Sequence, residues 1–276
     1  MITINCIADK FISSEVNLQY VILCRTVNNP KTFTYSTSST VNILRVSIAD
    51  NIAHIRERIA CAAVRAGRNA DDIALMAVSK TKPAQDIEEA YRAGIRLFGE
   101  NRVQEFAEKQ PALSKLPDAH FHLIGHLQSN KSSKAATLFH AIDSVDSLKL
   151  AERLNAAAQA AEKILPSLIE INIGGEEQKP GIAPNSKELD ELLDAAPQLT
   201  ALSIRGLMTV PPHTDDPERA RPYFRRLCEL RDQITVRKLP RVGMHVLSMG
   251  MSHDFEVAIE EGSTCVRVGT AIFGER

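Results

Sequence analysis

Short apolar runs of strand length recur eight times along the chain, and every run after the first follows a stretch with helical character. The runs lie at 73–79, 95–98, 120–124, 140–142, 167–173, 204–208, 242–248 and 265–268. The intervening helical stretches lie at about 84–93, 101–109, from 129, 146–163, 186–195, 217–235 and 253–261. Runs this short and this apolar read as strands covered on both faces. Strand–helix alternation implies parallel strands joined by right-handed crossovers. Eight such units in roughly 230 residues fit a closed (β/α)8 TIM barrel better than an open doubly wound sheet. No G-x-G-x-x-G follows the first run, so a dinucleotide site lacks its motif. Ahead of the first strand, Ile48, Ile52, Ile55 and Ile59 recur every three or four residues. That is one face of an amphipathic helix, stopped near Gly67, and it adds an N-terminal helix to the plain barrel.

The first 46 residues have a different character. They hold four of the thirteen aromatics, two acids (Asp9 and Glu15) and the Ser/Thr-rich run TFTYSTSST at 32–40. The segment reads as a disordered or misassigned N-terminal extension. A transit peptide would be Arg-rich, and here Arg25 and Arg45 are the only arginines. The preferred reading is translated sequence upstream of the true start: Val46 directly precedes Ser-Ile-Ala-Asp, and valine codons can serve as start codons. Peptides of the native protein from upstream of Val46 would refute it. The folded domain is expected at 47–276.

Composition narrows the function classes. Lys and Arg total 33 against 34 Asp and Glu, for a net charge of −1, so there is no basic footprint for general nucleic-acid binding. The absence of Trp and the 5% aromatic content also disfavour a base-stacking surface. No apolar run approaches the ~20 residues of a membrane span. Five scattered cysteines without a C-x-x-C pair suggest neither a disulfide framework nor a clustered zinc site. The expected setting is a reducing cytoplasm, with Cys265 a small core residue. His120 and His122 alternate on the third run and His126 follows it, but no carboxylate cluster joins them in sequence, and no metal site is expected. His245 and His253 are expected to be structural or to neighbour the site.

In a barrel the chemistry sits at the C-terminal strand ends. The first such end carries Lys80. There a partly desolvated amine can act as a Schiff-base nucleophile, although a snorkelling surface lysine fits the same position. Lys82, beside Pro83, is the weaker choice. Loops after the seventh and eighth strands often bind phosphate in barrels, and here they contain Met249-Gly250-Met251-Ser252 and Gly269-Thr270. Glycines admit an anion to the backbone, the Ser252 and Thr270 hydroxyls can donate, and Arg267 could point inward. Plain turns, and Ser252 as the cap of helix 253–261, are the competing explanations.

A Schiff-base lysine with a phosphate cup describes pyridoxal 5'-phosphate. AVSKTKP (77–83), FGENRVQE (98–105), HLIGHLQSNK (122–131), IRGLMT (204–209), LSMGMSHDFEVAI (247–259) and VRVGTAIFGER (266–276) together resemble the pyridoxal phosphate homeostasis family, also called the proline synthetase co-transcribed family. The resemblance spans all but the first 46 residues. It implies a barrel like the N-terminal domain of alanine racemases, with Lys80 holding the cofactor. It further implies phosphate binding by Ser252, Gly269 and Thr270, Arg267 beside the cofactor, and Asn101 toward its ring. The family is regarded as buffering or delivering the cofactor without established turnover, so no catalytic residue is expected. The chain is expected to be a monomer, with cofactor-dependent apoenzymes as possible recipients. The alternative is an amino-acid racemase. Two-base racemisation needs an acid opposite the lysine, which alanine racemase takes from the tyrosine of a separate β-domain; past residue 46 the only tyrosines here are Tyr91 and Tyr223, both in helical stretches.

Overall fold

The computed structural model describes residues 47–275, and the expectations for residues 1–46 lie outside the described residues. The first element is helix α1 (Ile48–Arg65). Ser47 and Asp50 form a capping box at its start, with Ser47 Oγ accepting from Asp50 N at 3.1 Å and Asp50 Oδ2 from Ser47 N at 3.2 Å. Its buried stripe is Ile52, Ile55, Ile59, Ala62 and Ala63. Gly67, at φ +66°, sits just past the helix end, where a left-handed residue is needed.

Eight strands then close in chain order: β1 (Ala74–Val78), β2 (Leu97–Glu100), β3 (His120–Leu123), β4 (Ala141–Val145), β5 (Leu165–Glu170), β6 (Leu202–Met208), β7 (Val242–Met251) and β8 (Cys265–Val268). All pairings are parallel, and β1 against β8 completes the barrel with Met76 opposite Arg267. The outer helices are α2 (Ala84–Arg92), α3 (Val103–Leu113), α4 (Ser132–Leu138), α5 (Leu148–Ala160), α6 (Lys187–Ala195), α7 (Arg221–Val236), α8 (Phe255–Glu260) and α9 (Thr270–Phe273). Helix α1 packs over α8 and α9. Asn51 Nδ2 donates to Ile272 O at 2.8 Å, and Arg58 pairs with Glu256 at 2.6 Å while lying over the Phe255 ring. The extra helix thus covers the seam where β8 meets β1. On the other side the Phe106 ring of α3 lies 4.7 Å from both Phe121 and Phe139, tying α3 to β3 and the end of α4.

The eight strands are where the sequence puts them, but their ends move. β2 runs 97–100 rather than 95–98, because Ile95 N is still tied back to Ala90 O by the helix end. Glu100 therefore sits in the sheet, fully buried, and not in the following loop. β4 runs 141–145, which takes Asp143 and Ser144 inside; Asp143 meets His122 Nδ1 at 3.1 Å and Ser144 Oγ donates to Gly125 O at 2.7 Å. β5 ends at Glu170 rather than 173. The 129 helix opens with a 3-10 turn at Ser129–Lys131.

Within the barrel, Met76, Leu97, Leu168 and Cys265 border a cavity of about 230 Å³ in its N-terminal half. Cys265 is a buried core residue as expected, and burial pushes its thiol up to about 12, so it stays protonated and unreactive. His122 and His126 each have a carboxylate partner from another part of the chain, Asp143 and Asp146 (2.9 Å), which the sequence neighbourhood does not show.

Candidate functional site

At the C-terminal mouth of the barrel one cavity of about 450 Å³ is lined by Val78, Lys80, Asn101, Ile124, Val210, Met251, Ser252, His253, Arg267, Gly269 and Thr270. All six residues singled out from the sequence are among them: Lys80, Asn101, Ser252, Arg267, Gly269 and Thr270. Residues 100 to 200 positions apart meet here because the barrel closes β8 onto β1.

Lys80 lies two residues past the end of β1 and is half-buried. Lys82 turns away: its Nζ donates to the carbonyls of Phe273, Gly274 and Glu275 at 3.1, 3.2 and 3.4 Å, where it caps the C-terminal end of α9. Asn101 follows β2. Its backbone runs so close to Gly125 that a Cβ there would meet Asn101 O at 2.4 Å, so the glycine of HLIGHLQ is needed for the wall to form.

Ser252 does not cap α8. That helix begins at Phe255 with Asp254 as its cap residue, and Asp254 Oδ1 instead accepts Met251 N at 2.6 Å. Gly250, at φ +93°, turns the end of β7 tightly over α8, which carries Ser252 toward the end of β8. There Ser252 Oγ accepts from Gly269 N at 3.3 Å and Ala271 N at 3.4 Å. With its lone pairs engaged, the Ser252 hydroxyl proton can point to a ligand. Thr270 adds an exposed hydroxyl beside it.

Arg267 is only 3% exposed. Its Nη1 donates to Ser248 Oγ and its Nη2 to Thr209 O, both at 2.7 Å, so β7 and the residue following β6 fix the guanidinium at the cavity wall. Burial pulls it below its ordinary range, while Cys265, Asp143, Glu170 and Asp254 pull the other way. Glu170 is a residue the sequence reading missed. It ends β5, opposite β1 in the eight-strand ring, is 6% exposed, and its Oε2 has no hydrogen-bond partner. Burial and the nearby Asp146 raise it to about 7 against the opposing pull of Arg267. An acid inside the apolar run LPSLIE was the signal that could have found it.

The cavity thus offers an amine, a guanidinium, hydroxyls and backbone amides, and none of its lining residues is acidic. That donor set suits an anionic ligand, and a half-buried amine suits one that also carries an electrophilic carbon. His245 lies away from it, exposed in the middle of β7, whereas His253 is on the rim with Nε2 3.0 Å from Asp215 O.

The chain is similar to known proteins over the whole of the barrel. The family described as alanine racemase, N-terminal domain, matches residues 48–276. A protein of Aquifex aeolicus named pyridoxal phosphate homeostasis protein is 44% identical over 231 residues, which is 84% of this chain and 99% of its own. One of the same name from Escherichia coli K12 is 44% identical over 231 residues, covering 83% and 97%. Among solved structures, PipY of Synechococcus elongatus PCC7942 with PLP bound has a TM-score of 0.70 at 37% identity, over 83% of this chain and 100% of that one. An alanine racemase of Clostridium difficile 630, at 15% identity and a TM-score of 0.63 over 82% of this chain and 60% of its own, shares the fold.

Proposed function

We propose a function from one premise: the chain belongs to the pyridoxal phosphate homeostasis protein family, built on the barrel of the alanine racemase N-terminal domain. It binds pyridoxal 5'-phosphate at the mouth of the barrel and serves to hold and release this form of vitamin B6 for the cell's cofactor and amino-acid balance. The observation that carries the reading is the convergence of Lys80 with the Ser252–Gly269–Thr270 cup on one cavity that no carboxylate lines.

When bound, pyridoxal 5'-phosphate supplies an aldehyde that condenses with an unprotonated amine, and a phosphate dianion. Lys80 supplies the amine and retains the ligand covalently. Ser252 and Thr270 donate hydroxyl protons to the phosphate, and the Gly269 and Ala271 amides already directed at Ser252 Oγ add positive potential there. Arg267, fixed by Ser248 and Thr209, provides a cation that needs no reorganisation on binding. Asn101 forms the wall toward the ring.

The chain acts as a holder rather than a racemase. Racemisation needs a proton donor across the ligand from the lysine. Neither described tyrosine lines the cavity: Tyr91 donates to Asp118 on the outside, and Tyr223 is on α7. No carboxylate lines the cavity either, and the imidazole among its lining residues, His253, is on the exposed rim with Nε2 3.0 Å from Asp215 O. We place the protein in the cytoplasm as a monomer, with cofactor-dependent apoenzymes as recipients. Among the described residues no helix is long and apolar enough to cross a membrane.

Mixing the purified protein with pyridoxal 5'-phosphate tests this. The expected result is a visible absorption band that inorganic phosphate weakens competitively. A barrel for some other phosphorylated metabolite would give no band. Robust racemase turnover, lost in Lys80→Ala, would overturn the holder reading in favour of an enzyme.

A further inference from the structure

The peptides on both sides of Lys80 are held by one charged cluster outside the cavity. Before it, Ser79 is fully buried; its Oγ donates to Glu100 Oε1 at 2.7 Å, and its carbonyl accepts from Lys109 Nζ at 3.1 Å. After it, Thr81 is in the left-handed region at φ +62°, a conformation unfavourable for a β-branched residue. Its N–H donates to Glu105 Oε1 at 2.6 Å. Lys109 joins the two halves: its Nζ also reaches Glu105 Oε1 at 2.6 Å and the Glu100 oxygens at 3.1 and 3.3 Å. The Lys109 side chain is 12% exposed, Glu100 0% and Glu105 24%. None of the three lines the cavity.

Helix α3 presents Glu105 and Lys109 one turn apart to the strand end, and β2 contributes Glu100 from the neighbouring position in the ring. The cluster straddles a single residue, Lys80, and holds the backbone after it in a conformation it would otherwise leave. Burial raises Glu100, with Ser79 and Lys109 opposing; at Glu105 burial is outweighed by the hydrogen bonds from Lys109 and Thr81, which hold it below the usual carboxylate range.

We propose that Lys109, acting through Glu100 and Glu105, is the positioning residue that aims Lys80 at a carbonyl carbon in the cavity. The inference rests on the reading of Lys80 as the attachment point. In the step it assists, the Lys80 Nζ lone pair forms the N–C bond. The carbonyl oxygen leaves as water with the two amine protons, and no electrons are gained or lost. The cluster does not touch the ligand; it fixes the trajectory of the amine.

Two ligands separate positioning from binding. Pyridoxal 5'-phosphate has an aldehyde; pyridoxine 5'-phosphate has an alcohol at the same carbon and cannot bond to lysine. Wild type, Glu105→Ala, Lys109→Met and Lys109→Arg are compared, and the part-exposed Glu105 site provides a variant that keeps the fold if Lys109→Met does not. In Glu105→Ala and Lys109→Met, band formation with pyridoxal 5'-phosphate slows by roughly 10- to 100-fold, the scale of a small misplacement of a reacting group, while pyridoxine 5'-phosphate affinity stays within about 3-fold. Lys109→Arg, which keeps the charge, recovers most of the rate. Unchanged rates in both variants, with a normal wild type, overturn the positioning role alone, as does equal weakening of both ligands. A wild type that forms no band overturns the reading of Lys80, and this inference with it.

Discussion

Replacing Glu170 with Gln should stabilise the ligand-free protein at alkaline pH and have little effect in acid. The Glu170 carboxyl is 6% exposed with one oxygen unpartnered, and it is raised from 4.5 to about 7, chiefly by burial and next by Asp146. A carboxyl raised on folding binds more protons in the native state than in the unfolded chain between those two values. Its contribution is therefore least unfavourable in acid, and stability is lost as pH rises from about 4.5 through 7, then levels. At 1.36 kcal/mol per pH unit the full loss is about 3 kcal/mol. Glutamine keeps the shape without the charge. At pH 8.5 the variant should gain about 3 kcal/mol, or roughly 5 to 10 °C in melting temperature for a domain of this size, and at pH 5 less than about 1 kcal/mol. The value of about 7 already includes the opposing attraction of Arg267, so the gain is net of it. Urea unfolding of both proteins at the two pH values measures the difference, and groups that titrate alike in both cancel. A variant less stable than wild type at pH 8.5, or equally stabilised at both pH values, would refute the assignment of a buried, poorly compensated carboxyl.

Ser248→Ala removes one of the two acceptors holding the Arg267 guanidinium; we expect a stability loss of about 1–2 kcal/mol and weaker pyridoxal 5'-phosphate binding, read by urea unfolding and ligand titration. Gly125→Ala drives a methyl into Asn101 O; it should cost about 2 kcal/mol or more and weaken the cofactor site on the Asn101 side, measured in the same two assays. Lys82→Met leaves the α9 carbonyls without their ammonium. A loss of about 1 kcal/mol is expected, and the absorption band with pyridoxal 5'-phosphate should persist; disappearance of the band would move the attachment point to Lys82.

The repeating order of strands was legible because burial on both faces makes each strand a continuous apolar run, and because strand and helix periods differ. Strand ends were less legible wherever a polar residue belongs to the sheet. Glu100, Asp143 and Ser144 look like loop residues, yet their partners Lys109, His122 and the Gly125 carbonyl come from other elements. The same holds at the site. The positions of Lys80, Ser252 and Gly269 follow from strand ends, and the structure brings them to one cavity. That Ser252 meets the amides of Gly269 and Ala271 rather than capping its own helix depends on how β7 and β8 are staggered, a property of closure that no local pattern encodes. Arg267 was legible as an inward residue, but its anchoring by Thr209 and Ser248 required three strands to be seen together. Glu170 was overlooked because a single acid in an apolar run does not break the strand pattern.

The proposed attachment point for pyridoxal 5'-phosphate is Lys80. The direct measurement is borohydride reduction of the wild-type protein mixed with this ligand, followed by proteolysis and mass spectrometry of the modified peptide. A single reduced adduct on Lys80 is expected. An adduct on Lys82 or any other lysine in its place, or no adduct at all, would contradict it.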